Sequence, residues 1–383
     1  MAYLTGIHSA VPGHELSAEQ LIQLLHHDSF GHSPTQLRKI AAVISSMEIA
    51  SRPAVVDFQQ FSRDLDAEKC PCSVSYPSPD NLFRSAPSPF RPSMTDRAAV
   101  WESAVKKLAL AATRGLLDKT ATPFSDVDCV ITNTSTGVML PNLSTWLPQH
   151  VPLPAVTCNF SLDNTGCGGG ITCLDMARSL VLAGRARVVV VVTVDVTSVH
   201  MNAVPGGDMS GTLPNLLFGD GAAAVLVTGL EEEGSWRMEE PECRLLGENT
   251  ADFIRLQLHE SGYHLTLSRD LVKSLENAVR GFWQEILKKV TGSGDPGEVE
   301  WVVHPGGKGI LEAFSRQDPP LTPNHLRHSL AVMKERGNLV SASLIFVLQR
   351  MWEGHERNRA VLVGPGPGVE IKTMVLEKVT LKK

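Results

Sequence analysis

The segment Ala186-Arg-Val-Val-Val-Val-Val-Thr-Val194 constrains the fold of this chain more than any other. It is the longest near-continuous apolar run, yet it falls far short of the roughly 20 residues a membrane-spanning helix needs. It therefore reads as a buried strand. Similar short apolar runs stand near 127–133, 222–228, 299–303 and 359–363. Between some of them, helical spacing of apolar residues appears at 98–117, 170–183, 269–289 and 340–353. This alternation defines an α/β chain. Glu231-Glu-Glu-Gly-Ser235 closes the densest apolar region and a fresh alternation follows, which predicts two parts, 1–235 and 236–383. No repeat of solenoid length is present.

A length of 383 residues, 43% of them hydrophobic and 20% charged, allows a large core. The net charge of -6 gives no overall attraction to nucleic acid or to anionic membranes, so neither is expected as a partner. The start, Met-Ala-Tyr-Leu-Thr, lacks the charged and apolar regions of a secretory signal, and a cytoplasmic location is the default expectation. Seven scattered cysteines do not form a disulfide framework. The one close pair, Cys70-Pro-Cys72, has no second pair at zinc-site spacing, so no metal is expected. Residues 64–97 are rich in Pro, Ser and Asp and predict a long excursion, after which Thr95-Asp96-Arg97 opens a helix.

Three segments carry candidate chemistry. Asn164-Thr-Gly-Cys167-Gly-Gly-Gly170 precedes a helical pattern, which places Cys167 at or just before a helix N-terminus. There the unpaired N–H groups and the helix dipole favour the nucleophilic thiolate. The glycines leave room for a substrate and keep backbone amides open as oxyanion donors. Taken alone, Cys167 reads equally as a buried cysteine on a Gly-rich turn. Trp301-Val-Val-His304-Pro-Gly-Gly307 sets a histidine where an apolar strand ends, a usual place for a catalytic side chain in an α/β fold. By itself it reads as well as a structural histidine. Asn338, before the helix that carries Leu344, Val347, Leu348 and Met351, has a turn or cap residue as its plain alternative.

Together, Cys then His then Asn are more specific than any one of them. With Leu217-Phe218-Gly-Asp-Gly-Ala-Ala-Ala224 and Val363-Gly-Pro-Gly-Pro-Gly368, they make the chain resemble the chalcone synthase-like type III polyketide synthases of the thiolase superfamily. Gly6-Ile-His-Ser-Ala-Val-Pro12 and Arg91-Pro-Ser-Met-Thr-Asp96 extend the resemblance to nearly the whole chain.

The resemblance implies a five-layered α-β-α-β-α fold from two thiolase-like halves, and a homodimer. Its substrates would be coenzyme A thioesters, malonyl-CoA and an acyl-CoA starter, with no further cofactor. Cys167 would carry the acyl chain, while His304 would hold its sulfur as thiolate and, with Asn338, bind the thioester oxygen of malonyl-CoA as it loses carbon dioxide. Phe218 matches the gating aromatic, and a second such Phe falls on Leu265. His200, Leu256, Ser135, Val340, Pro365 and Gly366 match positions around the cavity, and Leu140 matches a Met that reaches the partner subunit. Pro365 replaces the usual aromatic of the Gly-Phe-Gly-Pro-Gly loop. The aliphatic replacements point to fatty acyl starters and alkylpyrone or alkylresorcinol products rather than flavonoid chemistry. Coenzyme A would meet Arg38, Lys39, Lys308, Gly306 and Gly307, although each cation reads equally as a solvated surface charge. The rival readings are a single-condensation ketoacyl synthase of fatty acid initiation and a non-catalytic acyl-CoA-binding relative. A Cys-His-Asn protease lacks its Gln and Trp neighbours here.

Overall fold

The computed structural model describes residues 1–26, 30, 32–58, 92–154, 157–202, 209–245, 250–260 and 262–381. Cys70, Cys72 and the Pro/Ser-rich stretch up to residue 91 lie outside the described residues. The strands are β1 (Tyr3–Ala10), β2 (His14–Ser17), β3 (Ser51–Ala54), β4 (Cys129–Asn133), β5 (Cys158–Ser161), β6 (Val188–Asp195) and β7 (Gly221–Thr228). They continue as β8 (Trp236–Met238), β9 (Glu242–Leu245), β10 (Ile254–His259), β11 (Gly262–Leu267), β12 (Glu300–Val303), β13 (Arg359–Gly366) and β14 (Glu370–Lys378).

Ten of these strands form one sheet, nine of them in the order β12-β13-β14-β8-β1-β7-β6-β4-β5 and the tenth, β9, against β14. β6 runs parallel to β4 and antiparallel to β7. Its valines alternate between two cores. Val190, Val192 and Val194 face the Met94–Lys119 helix, while Val189 and Val191 face the Gly169–Leu182 and Ala342–Gly354 helices. A strand covered on both sides has no polar face, which is why its sequence is a continuous valine run. The two helices that share the second core are far apart in the sequence. Ala342–Gly354 is buried from Ala342 through Leu348, as a helix between layers must be. A third core joins β12 and β13 to the Leu271–Arg280, Trp283–Thr291 and Lys308–Ser315 helices.

Two differences from the sequence reading have local causes. The helix expected over 269–289 is two helices, Leu271–Arg280 and Trp283–Thr291, broken at Gly281 and Phe282. The β10–β11 hairpin was not foreseen. It pairs only with itself, so most of β10 is exposed and its apolar pattern is diluted. The Met94–Lys119 helix starts with a capping box, in which Ser93 Oγ accepts from the Asp96 N–H and Asp96 accepts from the Ser93 N–H. Among the described residues, no helix is long and apolar enough to cross a membrane. The described cysteines are free thiols.

Candidate active site

Cys167 sits in a single 3-10 turn, Gly166–Gly168, that runs straight into the Gly169–Leu182 helix. The turn needs glycine at two points. Gly166 has φ +59° and lies against Pro367, and a Cβ at Gly169 would stand 2.5 Å from Thr165 Oγ1. The turn is pinned from β4, because Ser135 Oγ accepts from the Gly166 N–H at 2.9 Å. Ser135 donates its own N–H to Asp195, at 2.7 Å. Asp195 also accepts from the Ser341 N–H and hydroxyl, at 3.1 and 2.5 Å. One buried carboxylate therefore ties the nucleophile turn to the segment that carries Asn338. Burial raises its pKa to about 6 against these bonds. The sequence reading missed Asp195, although an acid closing a valine strand is visible in the sequence.

His304 extends β12 by one residue, donating its N–H to Val363 O at 2.8 Å. Gly306 folds back over the ring, and a Cβ there would stand 3.2 Å from His304 Cδ2. Both ring nitrogens are sealed from solvent and without a hydrogen-bond partner. Burial lowers the His304 pKa to about 3, so the imidazole is neutral.

Asn338 follows Gly337, whose φ is +66°. Its N–H donates to Leu217 O and its carbonyl accepts from the Gly219 N–H, so it stands beside Phe218 as a parallel bridge. Asn338 Oδ1 accepts from the Val340 N–H at 2.9 Å and from Ser343 Oγ at 3.1 Å. Those bonds leave the amide nitrogen as the donor of the side-chain hydrogen bond to Cys167. The Asn338 side chain and a backbone N–H lower the Cys167 pKa, but burial and Asp195 outweigh them and push it up to about 12. Burial thus works against the thiolate that the helix terminus favours.

Cys167 opens onto a cavity of about 520 Å³. Phe218, His200, Leu256, Leu265, Ser135 and Val340 all line it. Leu256 and Leu265 are direct cross-strand partners on β10 and β11. His200 donates from Nε2 to Thr136 O at 2.7 Å and meets Tyr263 edge to face at 4.9 Å between ring centres. Val340 is held at φ +52°, a strained setting for a β-branched residue, against the cavity wall.

Other expected positions fall elsewhere. Pro365 and Gly366 belong to the β13–β14 ladder, opposite Ile371 and Glu370, and Pro367 reaches the cavity in their place. The tight hairpin explains the shift, since only Pro367, Gly368 and Val369 at its bend leave the ladder. Leu140 does not line the cavity of its own chain and is 97% exposed. Arg38 and Lys39 are exposed on the Pro34–Met47 helix, away from the cavity lining. Lys308 Nζ pairs with Glu48 Oε1 at 2.5 Å. Gly307 caps the Lys308–Ser315 helix at φ +137°, next to Leu217. Among the described residues no cluster of His, Cys, Asp and Glu is arranged to hold a metal ion.

Profiles of the chalcone and stilbene synthases match this chain twice, the N-terminal domain over residues 86–230 and the C-terminal domain over 243–380. The chain belongs to the chalcone and stilbene synthase family. It is therefore an acyltransferase of the type III polyketide synthase kind. Its fold is that of the thiolases, as three solved structures illustrate. The type III polyketide synthase domain of Steely1 from Dictyostelium has TM-score 0.84 at 22% identity, covering 99% of each chain. The 1,3,6,8-tetrahydroxynaphthalene synthase of Streptomyces coelicolor A3(2) has TM-score 0.82 at 24% identity, covering 100% of both. CsyB complexed with CoA-SH has TM-score 0.81 at 21% identity, covering 99% of this chain and 100% of the other.

Proposed function

We propose that this synthase takes a fatty acyl starter from coenzyme A onto Cys167, extends it with malonyl units and cyclises the product to an alkylpyrone, an alkylresorcinol or a related ring. The observation that carries this reading is the β10–β11 wall of the cavity that Cys167 also lines. Two facing leucines, Leu256 and Leu265, give an aliphatic lining where each buried methylene of a chain contributes about 0.8 kcal/mol.

In the loading step, neutral His304 accepts the Cys167 proton as Sγ attacks the thioester carbonyl. The carbon–sulfur bond to coenzyme A breaks, and the imidazolium returns the proton to the leaving thiolate. Malonyl-CoA then places its thioester oxygen between His304 and the amide nitrogen of Asn338. Carbon dioxide departs, the electron pair becomes an enolate stabilised by those two donors, and the enolate carbon attacks the Cys167 thioester. Cys167 leaves as thiolate, and the chain, two carbons longer, is again on coenzyme A. Phe218 excludes water beside the departing carboxylate. Gly306, Gly307 and Lys308 would meet the pantetheine arm and phosphates, with Lys308 released from Glu48; Arg38 and Lys39 would act from further out.

The reading includes a homodimer in which the exposed Leu140 of each chain enters its partner, and two thiolase-like halves, 1–235 and 236–383. To test it, purified protein is given malonyl-CoA and acyl-CoA starters of graded length, and products are read by mass spectrometry beside Cys167→Ala. Cyclised products whose yield peaks with long aliphatic starters, and which vanish in the variant, are expected. One linear β-ketoacyl product would favour the single-condensation reading instead.

A further inference from the structure

The cavity lining holds one fixed charge. Among its described residues, Arg52 is the only Arg or Lys, and there is no Asp or Glu. Arg52 ends up there because β3 delivers it beneath the Phe218–Asn338 bridge. Its side-chain carbons pack where a Cβ at Gly219 or Gly337 would have to go. The residue is 3% exposed, and among the described residues no carboxylate pairs with it. Its hydrogen bonds all leave from Nη1, to Leu216 O and to Asn215 O.

Those carbonyls end the Met209–Leu217 helix, so half of the guanidinium has a structural task. The other half has none. Nε and Nη2 carry no hydrogen bond among the described residues, and they are not among the polar atoms sealed from solvent, whereas both nitrogens of His304 are. Burying a cation without an acid is costly, and desolvation lowers the pKa of Arg52 to about 10, which still leaves it charged at neutral pH. Neutral polar side chains would satisfy two carbonyls at lower cost. His200, which also lines the cavity, adds no charge, its pKa being lowered to about 3 by burial.

We infer that Arg52 gives the cavity an anion-binding corner, which takes a carboxylate or enolate oxygen of the chain lying in the cavity through Nε and Nη2. A guanidinium presents two parallel donors to such a group and remains charged when buried. This rests on the polyketide reading for the source of the anion: a chain of alternating carbonyls carries acidic methylenes, and its enolates are the species that close rings. A cation at that place selects which part of the chain is held as enolate, and so which ring forms.

The test uses the full chain and a stable pair of probes, a medium-chain fatty acid and its primary amide, with binding read by calorimetry. Wild type is expected to bind the acid about tenfold more tightly than the amide, with the preference shrinking as salt rises. Arg52→Met should abolish the preference, and Arg52→Lys should restore part of it. Equal binding of acid and amide by wild type overturns the inference even if Arg52→Met fails to fold, and so does a preference that survives in a folded Arg52→Met. Coenzyme A is measured alongside. If Arg52→Met weakens coenzyme A as much as the acid, the guanidinium belongs to phosphate recognition and the proposal fails. Acyl transfer to Cys167, followed by intact mass, separates the two claims: its loss sinks the polyketide reading, while the acid-over-amide preference alone decides the anion corner.

Discussion

The strand ends around Cys167 and the β10–β11 hairpin border the same cavity and are built on opposite terms. On the first side, two buried carboxylates fix the segments around the reacting groups. Asp195 holds Ser135 and Ser341, while Asp220 accepts from the Val55, Thr197 and Ser198 N–H groups at 2.7, 2.6 and 2.8 Å. On the second side, two strands pair only with each other, and Leu256 and Leu258 are left 43% and 64% exposed. Chemistry thus rests on a scaffold that tolerates little change, and chain selection rests on a wall that can vary without disturbing the core.

The sharpest break of this contrast is Cys167→Ala, which should remove all product and all acyl adduct while leaving the fold intact by circular dichroism. Next comes Asn338→Ala. Loss of one oxyanion donor should lower kcat about a hundred- to a thousandfold, with the larger part of the effect on kcat rather than KM. Asp195→Ala leaves the Ser135 N–H and the Ser341 N–H and hydroxyl without their acceptor and should cost about 3 kcal/mol in urea unfolding. A smaller effect concerns charge. Burial raises the Cys167 pKa and lowers that of His304, so the thiolate is the minor form at neutral pH. Alkylation of Cys167 should quicken about tenfold per pH unit from roughly 7 to 9. A rate already level below pH 7 would mean that a thiolate–imidazolium pair forms before substrate arrives. The smallest change in stability, within about 0.5 kcal/mol, is expected for Leu256→Ala, yet its preferred starter should lengthen.

The same contrast explains what could be read from the sequence. The valine strand, the Gly-rich cysteine turn, His304 at a strand end and Asn338 before a buried helix are each dictated by short-range rules, and they were legible. β10 and β11 were not, because a half-exposed hairpin leaves only a weak period-two pattern in Ile254, Leu256 and Leu258. Pro365 was misplaced by two positions in favour of Pro367, since a repeated Pro-Gly motif does not reveal which residue sits at the bend. Arg52 carried no local signal at all. Its neighbours in space, Leu216, Gly219 and Gly337, are distant in the chain.

The most direct test of the account is intact-protein mass spectrometry after brief exposure to an equimolar mixture of short, medium and long acyl-CoA thioesters. The account predicts one dominant adduct, a long aliphatic acyl group that maps to Cys167 and shifts in length when Leu265 becomes Phe. An unmodified protein, or an adduct that persists in Cys167→Ala, would contradict it.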